Sequence, residues 1–329
     1  MKQYPTYSVA IRTLGTAGKK YLQELKSLDE QTIQPEHIFV YIPHGFKIPE
    51  ETIGREEYIR CAKGMVTQRS LSFDEISSDF ILFLDDDIYL PEDCVQKLLD
   101  GIVDNKGDVI SADIYNQCNA PFLLRFSNFL GGTFPHWDKK WAFKVRKSSF
   151  YSYNANPPKD VMLTQSACGA LVMVRKSLFQ SIHFEDERWM EHFGFPSIED
   201  QILHQKLRYQ GAVDLVHYKC GAIHLDAGSG HIRDPKRHNK VMNIMRYMLW
   251  YRSLYDIEQS RWKKFVAWIA FYTRIVLNFP IALSYTLRTG KLFYVTQVFS
   301  SIAEAKRYIA SDKYKSIPKF DAYRNKIII

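Results

Sequence analysis

Residues 80–87 read Phe-Ile-Leu-Phe-Leu-Asp-Asp-Asp, so an unbroken apolar run leads directly into three acids. An apolar run without polar alternation is typical of a strand buried on both faces, as in the parallel sheets of α/β proteins. Pro91 and Glu92 then begin a predicted helix that runs through Leu99. We therefore expect an α/β protein whose acidic turn lies at the carboxyl end of a central strand, where such sheets bind ligands.

The acidic turn consists of Asp85, Asp86 and Asp87. Adjacent carboxylates repel one another and are costly to desolvate, so a cation that neutralises them explains their position best. Hard oxygen ligands of this kind suit Mg²⁺ or Mn²⁺ that also holds a diphosphate. The alternative is a solvated turn that caps the following helix, but a cap needs only one Asp.

The N-terminal segment predicts a βαβ unit. Residues 7–13 read as a strand, leucines 22, 25 and 28 mark one face of a helix over residues 19–29, and residues 37–42 form a second apolar strand. This spacing is typical of a right-handed crossover between parallel strands. Residues 107–113, 171–174 and 213–216 read as further strands.

In this order the elements and the acidic triplet resemble family 2 glycosyltransferases of the GT-A fold, whose signature is a DxD motif. The resemblance implies a Rossmann-like mixed sheet flanked by helices, a nucleotide-sugar donor and Mn²⁺ or Mg²⁺. It implies that Asp87 binds the metal directly and that Asp85 assists through the ribose or a metal-bound water. The residues that it places near the nucleotide are Arg12, Thr13, Arg69, Asp85 and Asp86. Family members usually have an acidic turn after the second strand, whereas residues 41–45 here read Tyr-Ile-Pro-His-Gly, which leaves the base open.

Glu199 and Asp200 form a second acidic site. On spacing alone Ser197 is an N-cap and the acids stabilise the start of a helix over residues 198–209. The resemblance implies instead that one carboxylate is the catalytic base, which by position is Asp200, with Glu199 as the second choice. The resemblance also implies that a late histidine reaches the metal, and His224 fits, since imidazole ligates Mn²⁺ alongside carboxylates. Otherwise His224 is a structural or surface residue.

The chain divides by charge near residue 230. Residues 231–329 contain 19 Lys and Arg against 6 Asp and Glu, whereas the net charge of the whole chain is +8. Basic residues flank the apolar run 265–287, and this pattern indicates contact with an anionic membrane surface and not with nucleic acid. The run is long enough to span a bilayer, but Arg274, Asn278 and Pro280 favour a helix that lies on the membrane or packs on the catalytic domain. We expect a catalytic domain over 1–230 and a helical tail over 231–329.

The expected function is inverting transfer of a sugar from a nucleotide-diphosphate sugar to a saccharide or lipid-linked saccharide. Scattered cysteines and an N-terminus without an apolar leader predict a cytoplasmic protein, bound peripherally to the membrane. The aromatic segment 115–159 either stacks on sugar rings or packs a small core of its own. One alternative is a nucleotidyltransferase, for which the turn 14–19 is a poor phosphate loop. The other is a binding protein with structural Ca²⁺, which needs more oxygen ligands than this turn offers.

Overall fold

A mixed eight-stranded sheet forms the centre of the molecule. The structure is a computed structural model that describes residues 2–114, 121–122, 125–126, 129, 133–194, 198–226 and 234–324. The strands lie in the order β10 (Val161–Leu163), β12 (Asp214–His217), β6 (Val109–Ala112), β11 (Leu171–Arg175), β4 (Phe80–Asp85), β1 (Tyr7–Arg12), β2 (Ile38–Pro43) and β3 (Glu56–Cys61).

Parallel pairing places two functional strand ends side by side. β4, β1, β2 and β3 run parallel, and β11 runs antiparallel between β4 and β6. The register pairs Arg12, the last residue of β1, with Asp85, the last residue of β4. The predicted acidic turn therefore begins beside a basic residue of the first strand.

Nine α-helices surround the sheet in the described part of the chain. They are α1 (Lys19–Asp29), α2 (Met65–Arg69), α3 (Cys94–Asn105), α4 (Lys176–Ser181), α5 (Glu199–Tyr209), α6 (Pro235–Trp250), α7 (Arg261–Thr289), α8 (Phe293–Ala310) and α9 (Asp312–Lys315). A 3₁₀ segment covers Phe184–Phe193, and a π-helical turn covers Tyr251–Tyr255 between α6 and α7.

Two small sheets frame the carboxyl ends of the central strands. β5 (Ile88–Tyr89) pairs antiparallel with β13 (Ile223–His224), which brings His224 opposite Ile88, next to the acidic turn. β7 (Phe134–His136), β9 (Tyr151–Asn154) and β8 (Phe143–Val145) form the other sheet within the aromatic segment. A small cluster that includes Phe143 and Tyr153 is buried there, as the core-forming alternative predicts.

The two faces of the main sheet pack against different helices. One face buries leucines of α1 and α3, and the other buries α4 and α5 together with helices of the tail. Alternate residues of β4 divide between these faces: Leu82 and Leu84 lie in the first cluster, and Ile81 and Phe83 in the second. A strand buried on both faces is what the apolar run predicted.

The tail packs on the catalytic body through α6 and α7. Trp250 of α6 is 1% exposed, stacks on Phe271 of α7 at a centroid distance of 4.6 Å and donates from Nε1 to Ala267 O. Burying one large aromatic side chain contributes on the order of 2–3 kcal/mol. Residues on both sides of position 230 share this one core cluster. The domain boundary near 230 stays a prediction.

Candidate active site

A network of charged side chains (the site network) closes the carboxyl ends of β1 and β4. Arg12 donates from Nε to Asp85 Oδ1 at 2.6 Å and from Nη1 to Glu199 Oε1 at 2.8 Å. Arg69, from α2, lies 3.0 Å from both Glu199 Oε1 and Asp200 Oδ1. Two guanidiniums thus meet three carboxylates, and the fold brings together five of the residues that the sequence singled out: Arg12, Arg69, Asp85, Glu199 and Asp200.

Gly169 lets Arg69 reach the acids. The Arg69 side chain is 1% exposed and donates from Nη2 to Gly169 O at 2.6 Å. A Cβ atom at position 169 would collide with Asp200 Oδ1 and Arg69 Nη1. The small residues before β11 therefore allow side chains to approach closely, and only glycine fits at position 169.

Glu199 and Asp200 differ in their access to solvent. The Glu199 side chain is 1% exposed, whereas that of Asp200 is 32% exposed. Burial raises the pKa of Glu199 against the pull of Arg69 and Arg12. Ile198, the residue before them, has a φ of +74°, in the left-handed region that β-branched residues rarely adopt. Backbone strain of this kind often occurs at functional sites. The predicted cap Ser197 lies outside the described residues.

The three acids of the turn have three different partners. Asp85 pairs with Arg12, and although burial alone would raise its pKa, Arg12 and Arg69 lower it below the usual range. Asp86 accepts from Thr13 Oγ1 at 2.5 Å, and burial raises its pKa to about 6, to which the other two acids contribute. Asp87 is 2% exposed and lies against His224 of β13.

Asp87 and His224 meet above the turn. His224 Nε2 lies 3.4 Å from Asp87 Oδ1, and the Leu225 amide donates to Asp87 O at 2.8 Å. Carboxylate and imidazole fit Mn²⁺, and sites that also hold diphosphate commonly use only one or two protein ligands. Across the described residues, no three His, Cys, Asp or Glu side chains are arranged to hold a metal. Asp87 and His224 are the side chains here that could hold such an ion, while Asp85 is engaged by Arg12.

Glu24 is a further acid at this site that the sequence analysis missed. It is 0% exposed on α1, and its Oε2 accepts from the Ile88 amide, directly after the turn, at 2.9 Å. Burial raises the pKa of Glu24 well above its usual range, and its hydrogen bond to Ile88 holds the chain directly after the turn. The sequence feature that could have indicated this role is the position of Glu24 next to Leu25, on the leucine face of α1.

A cavity of about 190 Å³ opens beside Asp200. It lies where β6, β11, α5 and the aromatic segment meet, and its lining includes Phe143, Tyr151, Cys168, Asp200 and Gln201. Ligand pockets usually begin near 300 Å³, so this cavity has room for part of a ligand, such as one ring. Aromatic rings beside a carboxylate provide a stacking face and a proton acceptor for a sugar hydroxyl.

Residues 52–182 match the model of the family described as Glycosyl transferase family 2. This segment belongs to glycosyl transferase family 2. It contains Arg69 and the acidic turn but not Arg12, Glu199, Asp200 or His224, so the matched family segment supplies one side of the site network. The resemblance predicted from the sequence, and with it the class of glycosyltransferases, is confirmed.

The solved structure of S. aureus TarS shows the same fold. It aligns with a TM-score of 0.53 and 14% identity, covering 95% of this chain and 50% of that chain. The mannosyltransferase PcManGT from Pyrobaculum calidifontis, in complex with GDP-Man and Mn²⁺, aligns at a TM-score of 0.49 and 13% identity over 98% and 85% of the two chains. The predicted GT-A fold, with a mixed sheet, flanking helices and a C-terminal helical region, is confirmed. The chain described here spans half the length of TarS. No curated protein sequence matches it.

Proposed function

We propose that this chain transfers a sugar from a nucleotide-diphosphate sugar to a hydroxyl of a saccharide acceptor, with inversion at the anomeric carbon. The family match supports the class of reaction, and the position of Asp200 supports the mechanism. Asp200 is the member of the Glu199–Asp200 pair that solvent reaches, and it lines the cavity that has room for a sugar ring.

Asp200 is the general base of this proposal. Its Oδ1 is held by Arg69 at 3.0 Å, which fixes the carboxylate while its other oxygen can face the acceptor hydroxyl. Glu199 is buried between Arg12 and Arg69 and is inaccessible to an acceptor, so it positions the two guanidiniums. A well-placed base contributes about 10²- to 10⁴-fold to the rate. No covalent intermediate is needed, because the acceptor oxygen attacks directly.

The donor side consists of the acidic turn and the ends of β1 and α2. Arg12 and Thr13 fix Asp85 and Asp86, so the turn is rigid before a nucleotide arrives. Asp87 and His224 would hold a divalent metal, Mn²⁺ or Mg²⁺, which when bound would neutralise the diphosphate leaving group. The nucleotide base and the donor sugar stay open.

We also propose that the protein works at the cytoplasmic face of a membrane and lies on it through α7. By length and composition this helix could cross a membrane, and only 17% of its apolar window is buried. Its exposed side chains include Trp262, Val276 and Leu287. Arg274 is 4% exposed against the body, which favours a helix that lies on the surface over one that spans it. The basic charge of the tail complements anionic lipid headgroups.

The test of the transferase function is release of nucleoside diphosphate from a panel of nucleotide sugars, with Mn²⁺ or Mg²⁺ and then with EDTA. We expect one donor to be hydrolysed slowly, and we expect this hydrolysis to stop with EDTA or in Asp87→Ala. Asp312→Ala is the matched control, since the Asp312 side chain is fully exposed on α9.

Two results would contradict the proposal. Pyrophosphate release from a nucleoside triphosphate would instead identify a nucleotidyltransferase. Absence of both turnover and calorimetric donor binding across the panel would favour a binding protein.

A further inference from the structure

Three arginines converge on two aromatic rings at the edge of the aromatic segment (the arginine cluster). The guanidinium carbons of Arg246 on α6 and Arg274 on α7 lie 5.1 and 4.7 Å from the ring centroid of Phe150. Arg274 also lies 5.9 Å from the centroid of Phe134, and Arg146 lies 4.9 Å from it. Three guanidiniums, from three separate elements, therefore surround two aromatic rings, and Arg274 also donates from Nη2 to Asn278 Oδ1 at 2.7 Å.

The acids of this region are engaged elsewhere. Segment 133–160 contains two acids, Asp138 and Asp160, and they pair with Lys144 and Lys219. In the part of the chain that the structure describes, Arg246 forms no ion pair, and its guanidinium lies over the ring of Phe150. Cation–π contacts offset only part of the cost of desolvating a guanidinium.

The electrostatics indicate positive charge in excess. Burial lowers the pKa of Arg246. Burial also lowers the pKa of Arg274 to about 10, and the neighbouring Arg246 adds to this shift. Like charges brought together shift pKa values in this way, and groups with such shifts are candidates for functional sites. Planar guanidiniums fit phosphate oxygens through paired hydrogen bonds, which makes arginine clusters well suited to phosphate and diphosphate groups.

The arginine cluster adjoins the cavity beside Asp200. Gln201, which lines the cavity, donates from Nε2 to Ser149 O at 2.9 Å, and Ser149 Oγ donates to Arg246 O at 3.4 Å. Tyr151, another lining residue, is close enough to Arg246 to oppose the lowering of its pKa by burial. One turn, residues 146–150, thus connects the cavity to the arginine cluster. Helix α7 carries both Arg274 and the exposed apolar side chains.

We propose that Arg146, Arg246 and Arg274 bind a phosphate or diphosphate group of the acceptor while its sugar occupies the cavity at Asp200. This inference rests on the proposed transferase function and specifies the acceptor as a phosphate-bearing saccharide. The phosphate belongs either to a lipid carrier or to a soluble glycan. In both cases the arginine cluster orients the acceptor, and Asp200 takes its proton.

The first test measures binding of inorganic pyrophosphate by calorimetry to the full chain in EDTA. We expect Arg246→Gln to weaken binding at least about tenfold, since each lost charge-assisted pair costs about one decade of affinity. Arg288→Gln removes the same charge from an exposed position on α7 and should leave the affinity unchanged. Equal pyrophosphate affinity in the wild type and Arg246→Gln would overturn the proposal.

Arg146→Gln keeps the test decisive if Arg246→Gln does not fold. Arg146 is exposed on the turn, so its substitution leaves packing intact and should weaken pyrophosphate binding several-fold. Donor binding with Mn²⁺ should be unchanged in both variants. Failure of the proposed transferase function and failure of the proposed phosphate site therefore give different results.

Vesicles distinguish the two sources of the phosphate. Phosphatidylcholine vesicles that contain phosphatidic acid should displace pyrophosphate if the group belongs to a lipid, and pure phosphatidylcholine vesicles should not. Pyrophosphate binding that needs Arg246 but resists both vesicles would assign the phosphate to a soluble acceptor.

Discussion

The site network and the arginine cluster both bring guanidiniums close together, but the groups that surround these charges differ. In the site network Arg12 and Arg69 touch carboxylates at 2.6 to 3.0 Å. In the arginine cluster the guanidinium of Arg246 rests on an aromatic ring. A paired network keeps its geometry without a ligand, whereas a cluster of like charges is completed when an anion binds. The first arrangement suits a catalytic apparatus and the second suits a recognition site.

The largest expected effect is on catalysis within the site network. Asp200→Asn keeps the shape of the side chain but removes the proposed base, so we expect transfer to fall about 10²- to 10⁴-fold. Donor binding, measured by calorimetry, should stay the same because Asp200 lies on the acceptor side. Undiminished transfer by Asp200→Asn would remove Asp200 from the mechanism and direct attention to Glu199.

The next largest effect is expected on the stability that the site network provides. Arg69→Met leaves Glu199 buried with one partner fewer, and breaking a buried pair in this way typically costs about 3–5 kcal/mol of the free energy of unfolding. Urea denaturation measures the loss. Arg55→Met, on an exposed ion pair with Asp29, is the control and should change that free energy by less than about 1 kcal/mol.

A second paired network, away from the cavity, gives a pH-dependent test. Arg252 contacts both oxygens of Glu187 at 2.7 and 2.8 Å, and Lys206 lies 3.1 Å from it. Burial alone would raise the pKa of Glu187, but Arg252 and Lys206 lower it to about 2. Since the folded pKa lies below the unfolded value of about 4.3, the stabilisation is complete above that pH and is lost as the pH falls towards 2.

The expected loss is on the order of 3 kcal/mol over that window. Urea unfolding at a series of acidic pH values measures it, and the same series on Glu187→Gln isolates the contribution of this one group. Parallel stability curves for the two proteins between about pH 5 and 3 would contradict the assigned pairing.

The smallest effect is expected in the arginine cluster. Arg246→Met keeps the apolar stem on Phe150 and relieves repulsion with Arg274, so the free energy of unfolding should change by less than about 1 kcal/mol. Pyrophosphate should raise the melting temperature of the wild type and not that of Arg246→Met. A loss as large as that of Arg69→Met would show that the arginine cluster is structural.

The sequence predicted most of the fold, because apolar runs and leucine periodicity are local signals. The helix over residues 19–29 and the strand over 80–84 were predicted nearly to the residue. Strand β3 was not predicted, because Glu56–Cys61 is half exposed at the sheet edge and reads as polar. Helix α8 was also missed.

The site was predictable only where it follows a strand end or matches a family motif. Arg12 and the acidic turn lie directly at strand ends, so the sheet brings them together. The roles of the predicted residues stay predictions. The arginine cluster could not be predicted, since residues 146, 246 and 274 lie far apart in the sequence and meet only through tertiary packing.

The pairing of Glu187 with Arg252 also imposes an order on biosynthesis. Glu187 leaves the ribosome well before Arg252, and Arg252 in turn donates to Pro318 O at 3.0 Å. Until those later residues emerge, Glu187 can pair with Lys206 of α5, the helix that carries Asp200, but lacks its two contacts with Arg252. We therefore expect α5 to reach its final packing only after α7 has been made, so a growing chain would complete the site network and its apolar surface at the same time.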